Sequence, residues 1–328
     1  MPRKTYIEAI REALTEELRR DEKVYLMGED VRIGVFAGTR GLCAEFGEKR
    51  VVDTPISELA VSGTAVGAAA TGLRPVVDLM FGTFLYLAFD QIANQASALR
   101  YMFGGQARLP IVYMAQNGAG ISVGHHHSQC MHQYFMNVPG VKVVMPSSPY
   151  DVKGLLKSAI RDDNPVIFFN HLSLGGTRGE VPEEEYLIPL SQGDVKRAGT
   201  DVTICAAGLM VHHALRAAQT LAAEGIEAEV IDPRTLSPWD EALVLESVAK
   251  TGRFVAVDEG HLTCGAASEW AATVAEKAFG DLKAPVRRVT GAAVPIPFSP
   301  VLEKAAIPST EGIVTAVREV VRPGARIA

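Results

Sequence analysis

Asp53-Thr54-Pro55-Ile56-Ser57-Glu58 stands directly before a run of small and aliphatic residues that extends to Leu73. Pro55 favours extended backbone next to it, and Ser57 predicts the N-cap of a helix that begins at Glu58. Because the run is rich in glycine and alanine, we expect this helix to be buried. A lone carboxyl at the start of such a helix is costly unless a specific partner receives it. The alternative is that Glu58 only complements the positive end of the helix dipole, which contributes about 0.3–1 kcal/mol.

Apolar runs alternate with helical patterns along the chain, which predicts parallel sheets wrapped by helices. Ser148 and Pro149 predict the start of one of these helices. A stretch rich in glycine, proline and glutamate, residues 175–193, interrupts the alternation and predicts a linker. Before it we expect a helix at residues 6–18 and strands at residues 24–27, 76–80, 111–115, 141–145 and 166–169.

The alternation restarts after the linker. The chain is therefore predicted to be an α/β protein of two parallel-sheet domains, residues 1–185 and residues 186–328. Its length of 328 residues allows each domain to bury a full core. In the second domain we expect strands at 202–206, 228–231, 254–257 and 286–289, and helices at 212–223, 241–249 and 266–278.

The composition argues against several classes of protein. Hydrophobic residues make up 48% of the chain and charged residues 21%, which is typical of a globular protein. A net charge of −6 argues against nucleic-acid binding, and no run approaches the ~18 apolar residues of a membrane span. Glu8 and Glu12 argue against a signal peptide. The four cysteines form no CxxC pair, so we expect reduced packing thiols and a cytoplasmic location.

Seven stretches of the sequence occur in a specific order. They are DTPISE (53–58), GLRPV (72–76), FDQIANQAS (89–97), RYMFGG (100–105), HSQ (127–129), PGVKVVMPSSPYDVKGLLKSAIRDDNPV (139–166) and KTGRFVAVDEG (250–260). Together they closely resemble the β subunit of the E1 component of thiamine-diphosphate-dependent 2-oxo acid dehydrogenases, the family of pyruvate, branched-chain 2-oxo acid and acetoin dehydrogenases. The resemblance runs from Tyr6 to Val321. It implies a thiamine-diphosphate pyrimidine-binding fold followed by a transketolase C-terminal-like domain.

The resemblance assigns three residues to the cofactor. Thiamine diphosphate becomes an electron sink once its thiazolium C2 loses a proton, which requires a carboxyl hydrogen-bonded to N1′ of its aminopyrimidine. The matching carboxyl is Glu58, the backbone of Ile56 would lie beside the amine, and Phe84 would pack on the ring. For Phe84 the alternative is ordinary core packing. An apolar setting raises the pKa of such a carboxyl, and residues 59–61 are consistent with one.

His125-His126-His127 and the nearby His132 invite a metal interpretation. Three consecutive side chains cannot all point to one centre in a strand or a helix, and no carboxylate or cysteine completes a ligand set nearby. The resemblance instead assigns His127 as the active-site histidine, which faces the thiazolium and helps to bind or orient the oxo acid and the lipoyl group. His125 and His126 match no role.

A turn full of carbonyls and carboxylates follows the predicted helix end in SAIRDDNPV (158–166). Taken alone, the turn is a capped helix terminus. In relatives it holds a structural potassium ion through carbonyl and carboxylate oxygens. The matching positions are Ile111, Ala159, Ile160, Asp162 and Asn164.

The chain lacks Gly-Asp-Gly, the motif through which thiamine enzymes hold Mg²⁺ against the diphosphate. A diphosphate carries too much charge to bind without a metal or an array of donors. The chain is therefore expected to supply half of the cofactor site, with Mg²⁺ held by an E1 α subunit. The resemblance implies an α2β2 heterotetramer that docks the E2 acyltransferase core and its lipoyl domain. The expected reaction is oxidative decarboxylation of a 2-oxo acid with acyl transfer to the lipoyl group of E2.

Two departures leave the substrate open. Leu87 stands where pyruvate-type relatives often carry glutamine, and Asn170 stands where relatives usually carry glutamate. Residues 89–97 and 100–105 are somewhat closer to acetoin-type relatives. A β subunit of acetoin dehydrogenase is therefore the alternative.

Two interpretations come from other classes of protein. Gly120-Ile121-Ser122-Val123-Gly124 matches the GxSxG elbow of serine hydrolases, with His261 and Asp258 available later. Against it, four residues separate the predicted strand from the motif and three histidines follow. The second is a non-catalytic scaffold subunit, against which the intact Glu58, Phe84 and His127 argue.

Overall fold

The computed structural model describes residues 1–322. Residues 323–328, the end of the predicted second domain, lie outside the described part. The strands are β1 (Arg3–Thr5), β2 (Val24–Gly28), β3 (Val51–Asp53), β4 (Arg74–Phe81), β5 (Val112–Asn117), β6 (Lys142–Val144), β7 (Val166–His171), β8 (Arg178–Glu180), β9 (Asp194–Arg197), β10 (Val202–Ala206), β11 (Ala228–Asp232), β12 (Thr235–Ser237), β13 (Phe254–His261) and β14 (Arg287–Gly291).

Helices cover both sheets. They are α1 (Tyr6–Arg20), α2 (Leu42–Phe46), α3 (Glu58–Ala70), α4 (Leu85–Asp90), α5 (Ser97–Met102), α6 (His125–Ser128), α7 (His132–Met136), α8 (Pro149–Arg161), α9 (Leu209–Ala222), α10 (Glu241–Thr251), α11 (Ala266–Lys277), α12 (Pro300–Ala306) and α13 (Thr310–Val321). Within residues 1–322, no helix combines the length and the apolar character that a membrane span requires.

Two sheets form the centre of the molecule, as predicted. The first has the strand order β12-β6-β7-β5-β4-β2-β3, and the second has the order β14-β13-β10-β11-β9. All neighbours are parallel except the edge strands β12 and β9, which pair antiparallel. The central strands β7 and β10 are buried along their whole length, because helices cover both faces of a parallel sheet. The predicted α/β fold is confirmed.

The helix predicted at Ser148 and Pro149 begins there. The Ser148 side chain accepts a hydrogen bond from the backbone N–H of Asp151 at 3.1 Å, and Pro149 occupies the first helical position. The stretch predicted as a linker packs against the first sheet's helices instead of running free. Within it, β8 pairs with β1, and the apolar side chains of Val181 and Ile188 are buried.

Helix α3 differs from the expectation in two ways. Ser57 occupies the N-cap position, but its side chain makes no capping hydrogen bond. Only one face of the helix is buried, and Leu59 on the other face is 52% exposed. The expectation of a wholly buried helix is therefore wrong for the single chain. Gly67 and Ala70 are also exposed, a difference that composition alone cannot predict.

The cysteines depart from the expectation at one position. All four are free thiols, as predicted, and Cys130 and Cys205 are buried. Burial raises the pKa of both thiols well above the ordinary value. Cys264 is exposed, so it is not a packing residue.

Candidate active site

A cavity opens where β2 and β4 end and α3 begins. Three of the residues predicted to contact the cofactor, Ile56, Glu58 and Phe84, line it together. Such a position, beyond the carboxyl ends of parallel strands, is where ligands bind in α/β folds. The other lining residues are Gly28, Glu29, Thr54, Pro55, Ser57, Val61, Asp78, Leu79 and Met80.

An irregularity in β4 shapes one wall of this cavity. The register between β4 and β5 shifts between Asp78 and Phe81, and Met80 adopts a left-handed backbone conformation with φ of 57°. Asp78 Oδ1 accepts a hydrogen bond from the Met80 N–H at 2.9 Å. Bulges of this kind re-aim side chains next to active sites. Here the bend leads into the turn that carries Phe84 to the cavity.

His127 is connected to the cavity through contacts with aromatic rings. Its imidazole meets the ring of Phe81 edge to face, with 4.2 Å between centroids, and lies 5.7 Å from the ring of Phe84. The Thr83 hydroxyl donates a hydrogen bond to the carbonyl of His126. His127 itself is outside the cavity lining, so Phe84 is the link between the histidine and Glu58.

The other histidines do not join this group. Residues 125–128 form one turn of helix, and His126 is exposed. His132 is buried, with Nε2 3.0 Å from Asp258 Oδ1. In the part of the chain that the structure describes, no three histidines, cysteines or carboxylates are grouped to hold a metal.

Sequence reasoning missed two carboxyls that line the cavity with Glu58. Burial raises the pKa of Asp78 to about 6, although the Met80 N–H lowers it in part. The pKa of Glu29 is raised by desolvation and by the charges of Asp30 and Glu58. The cavity therefore concentrates negative charge and suits a ligand that donates hydrogen bonds. The only sequence signal for Glu29 and Asp78 was their position, at the end of β2 and within β4.

The apolar setting predicted around Glu58 is incomplete in the single chain. Val61 is buried and lines the cavity. Leu59 and Ala60 are exposed, because the first turn of α3 turns them away from the sheet.

The predicted potassium turn is compact and already contains a cationic group, the ammonium of Lys142. The carbonyl of Ile111 accepts the Val166 N–H at 2.9 Å, and the carbonyl of Ala159 accepts the Asp162 N–H at 3.3 Å. Asp162 also accepts the N–H of Asn164 at 2.8 Å.

Lys142, which sequence reasoning missed, forms an ion pair with Asp162. Burial raises the pKa of Asp162, but the bonds from Lys142 and Asn164 outweigh it, so the pKa is lowered. The last carbonyls of α8, among them Ile160, have no partner further along the helix, and that of Arg161 accepts a hydrogen bond from Arg74 at 3.0 Å.

The serine hydrolase interpretation is wrong. The Ser122 hydroxyl donates to Glu303 Oε2 at 3.0 Å. Asp258 faces His132, and His261 Nε2 lies 2.7 Å from the amide of Gln129. The serine, histidine and aspartate of the predicted triad therefore all have other partners.

Two families of known proteins match successive parts of the chain. Residues 3–176 match the family described as transketolase, pyrimidine binding domain, and residues 191–313 match transketolase, C-terminal domain. A solved structure described as a split gene transketolase, inactive beta4 tetramer, is similar with a TM-score of 0.79 and 26% identity, over 96% of this chain and 97% of that chain.

Three relatives extend over nearly the whole chain. The acetoin:2,6-dichlorophenolindophenol oxidoreductase subunit beta of Cupriavidus necator is 50% identical over 99% of both chains. The pyruvate dehydrogenase E1 component subunit beta, mitochondrial, of Bos taurus is 44% identical over 96% of this chain and 90% of its own. The 2-oxoisovalerate dehydrogenase subunit beta of Bacillus subtilis is 42% identical over 96% of this chain and 98% of its own.

Proposed function

We propose the function of this chain from one premise: it belongs to the family of E1 β subunits of thiamine-diphosphate-dependent 2-oxo acid dehydrogenases. We infer that it works in an α2β2 enzyme that decarboxylates a 2-oxo acid oxidatively and transfers the acyl group to the lipoyl group of E2. The observation that carries the proposal is that Ile56, Glu58 and Phe84 line one cavity. His127 contacts the ring of Phe84 and the neighbouring ring of Phe81.

The cavity suits the aminopyrimidine half of thiamine diphosphate. Phe84 offers an aromatic ring, Glu58 offers a carboxyl, and the Thr54 hydroxyl is buried without a hydrogen-bond partner among the described residues. Ile56 lines the same cavity and is 72% exposed. When bound, the cofactor supplies the electron sink for decarboxylation. We propose that Glu58 holds a proton at the ring, Ile56 binds the amine through its backbone, and Phe84 packs on the ring.

We propose that His127 binds or orients the oxo acid and the incoming lipoyl group. Its ring is held edge to face by Phe81, with 4.2 Å between the ring centroids. A positioned imidazole can move a proton near neutral pH.

An α subunit is proposed to complete the site. The lining of the cavity includes Glu29, Glu58 and Asp78 and no lysine or arginine, so it repels a diphosphate. We therefore propose that Mg²⁺ and the diphosphate are held by the partner. The exposed Ile56 and Leu59 at the cavity mouth suit burial under that partner. The solved inactive beta4 tetramer of a split gene transketolase offers a precedent for a chain of this fold that is inactive by itself.

Acetoin is the second candidate substrate. The relative from Cupriavidus necator, 50% identical, is named for acetoin, whereas the Bos taurus pyruvate dehydrogenase subunit is 44% identical. A substrate screen separates the two functions. The chain would be purified with its α partner and assayed with pyruvate, branched-chain 2-oxo acids and acetoin, with lipoyl domain or dichlorophenolindophenol as acceptor. Activity with none of them, in an assembled and cofactor-loaded complex, would refute the proposal.

Two further parts of the proposal concern a structural ion and the cellular compartment of the enzyme. We propose that the turn of Ile111, Ala159, Ile160, Asp162 and Asn164 holds a structural K⁺. Its carbonyl oxygens and the Asp162 carboxylate support this, since hard cations prefer oxygen ligands. The free thiols of the chain support our proposal of a reducing compartment such as the cytoplasm.

A further inference from the structure

The loop of residues 118–124 connects β5 to the turn of helix that carries His127. Its backbone is left-handed at every second residue: φ is 85° at Gly118, 109° at Gly120, 58° at Ser122 and 76° at Gly124. Alternation of left-handed with other conformations turns successive backbone N–H groups into one concavity, which attracts anions. The GxSxG pattern within this loop thus has a structural meaning that is unrelated to a nucleophile.

Two carboxylates of the second domain fill that concavity. Glu303 Oε1 accepts the Gly120 N–H at 2.9 Å, and Oε2 accepts the N–H and the hydroxyl of Ser122, each at 3.0 Å. Glu259 Oε1 accepts the Ala119 N–H at 2.6 Å. All of these contacts join residues more than a hundred positions apart in the chain.

The charge of Glu303 is buried in the first turn of α12. It is only 3% exposed, and within residues 1–322 it forms no ion pair with lysine or arginine. Its carboxylate is therefore stabilised by the hydrogen bonds from the loop, since a buried charge needs hydrogen bonds to remain buried. Its own backbone is held in α12, where the Glu303 N–H donates to the carbonyl of Ser299 at 2.8 Å.

Glu259 is held from the other side by a histidine. His171 Nδ1 accepts the Ser173 N–H at 3.1 Å, so the proton of the neutral ring lies on Nε2. That Nε2 is 2.6 Å from Glu259 Oε2. The Ser173 hydroxyl in turn donates to the carbonyl of Ala119 at 2.9 Å. The backbone of the loop is thus hydrogen-bonded both through N–H groups and through a carbonyl.

The glycines of the loop are required by these contacts. A Cβ at Gly118 would lie 2.2 Å from His171 Nε2, and a Cβ at Gly120 would lie 2.5 Å from the Ser173 hydroxyl oxygen. Side chains at either position would force the loop away from Glu259 and Glu303. A Cβ at Gly118 would also lie 2.9 Å from Glu259 Oε1, so glycine at this position allows the loop to approach the second domain closely.

We propose that Glu303 is a positioning residue for His127, with Glu259 as its auxiliary: the second domain fixes the active-site histidine through the loop of residues 118–124. The loop ends at Gly124, whose carbonyl accepts the His127 N–H at 3.2 Å, so displacement of the loop displaces the imidazole. The inference rests on the role of His127 in the proposed function.

A double-mutant cycle tests this inference in the complete enzyme with its α subunit. Glu303→Ala is expected to lower acyl transfer to the lipoyl domain by about 10²-fold, because small misplacements of catalytic groups have effects of that size. The double variant with His127→Ala should be no slower than His127→Ala alone, since both changes remove the same contribution. Glu311→Ala, at an exposed glutamate of α13, is the control and should match wild type.

Two further measurements test the inference. One is hydrogen exchange, which does not depend on activity, and the other is the rescue of acyl transfer by acetate. Hydrogen exchange at the amides of Gly120 and Ser122 should accelerate in Glu303→Ala and slow again when acetate replaces chloride at constant ionic strength. Acetate should also restore part of the acyl transfer, because the vacated N–H groups can bind a small carboxylate. If Glu303→Ala does not assemble, Glu303→Gln keeps the side-chain volume and serves in the same cycle.

The outcomes separate this inference from the proposed function. If His127→Ala is as active as wild type, the proposed role of His127 fails and the inference fails with it. If His127→Ala is impaired but Glu303→Ala matches Glu311→Ala, only the inference fails. Multiplied losses in the double variant would show that Glu303 acts elsewhere and would also overturn it.

Discussion

The ring of His127 stands against the ring of Phe81 at 89°, with 4.2 Å between their centroids. Phe81 comes at the end of β4, directly after the bulge that starts at Asp78. The same bulge therefore sets the direction of a ring that supports His127 and of the turn that brings Phe84 to the cavity. One local irregularity in β4 therefore aligns His127 with the part of the site that contains the Glu58 carboxyl.

The isolated chain should bind thiamine diphosphate and Mg²⁺ only weakly. The cavity is lined by carboxyls, and the chain lacks the Gly-Asp-Gly motif for the diphosphate. We expect a dissociation constant weaker than ~1 mM by calorimetric titration, and tight binding once the α partner is added. Tight, Mg²⁺-dependent binding by the chain alone would contradict the proposal of a shared site.

Glu58→Gln should keep the fold but lose proton exchange at C2 of the bound cofactor. Glutamine has the same size and leaves α3 intact, but it cannot share a proton with the aminopyrimidine. The loss should exceed the ~10²–10⁴-fold of one general acid–base group, because every later step depends on it. Deuterium exchange at C2, followed by NMR of acid-quenched samples, measures the step directly. Near wild-type exchange would return Glu58 to the simpler role of a helix-end charge.

The sequence predicts central strands better than edges. The apolar run of residues 202–206 gave the bounds of β10 without error, because burial on both faces leaves a strong pattern. The edge strand β12 was missed. Its register depends on pairs such as Thr235 with Val144, which are distant in the chain, and three residues show no periodicity.

The candidate site shows the same limit. Resemblance identified Glu58 and Phe84, which do line one cavity. Asp78 escaped notice because nothing local tells which strand ends become neighbours in a sheet. The role of Ser122 was also missed, since its partner Glu303 lies 181 residues later. Long-range pairing is the information that local patterns lack.

A buried cluster between α8 and the end of β11 makes stability depend on pH. Arg234 Nε donates to Asp151 Oδ1 at 2.8 Å, and Lys196 Nζ lies 2.7 Å from Asp151 Oδ2. Burial raises the pKa of Asp232 to about 6, with Lys196 opposing the rise and Asp151 adding to it. Burial also acts on Asp151, but Lys196 and Arg234 outweigh it and lower its pKa.

Asp232→Asn should therefore stabilise the chain above about pH 6. The pKa of Asp232 rises from 3.8 to about 6 on folding, so the wild type loses stability as the pH increases through that window and bears the full penalty above it. The variant should gain of the order of 1 kcal/mol at pH 8, and the gain should vanish below about pH 4. Thermal unfolding across this range measures it.

The matched control is Asp151→Asn. Its pKa is lowered in the folded chain, so its charge stabilises the native state at neutral pH and its removal should destabilise. A gain for Asp232→Asn that is independent of pH would contradict an origin in its charge.

Replacing K⁺ by a large organic cation at constant ionic strength should lower the melting temperature of the chain. An ion that binds only the folded state stabilises it by mass action, and each kcal/mol lost lowers the melting temperature by about 2–4 °C in a chain of moderate size. Asp162→Asn should abolish the difference. The neighbouring Asp163, which faces Arg74 and Arg108, provides the control: Asp163→Asn should keep the response to K⁺. Equal melting temperatures of the wild type in both salts would refute the ion site.

Substitution of the three consecutive histidines should distinguish one residue from its neighbours. His127→Ala should depress acyl transfer to the lipoyl domain by about 10²-fold or more and leave cofactor affinity nearly unchanged, because its ring lies outside the cavity lining. His125→Ala and His126→Ala should have little effect, since residues on one helical turn point about 100° apart and only His127 contacts Phe81 and Phe84. Assays of the three variants with lipoyl domain and with a model acceptor test this pattern. Equal losses across the three, together with a stoichiometric transition metal, would favour a metal site and overturn the assignment of His127.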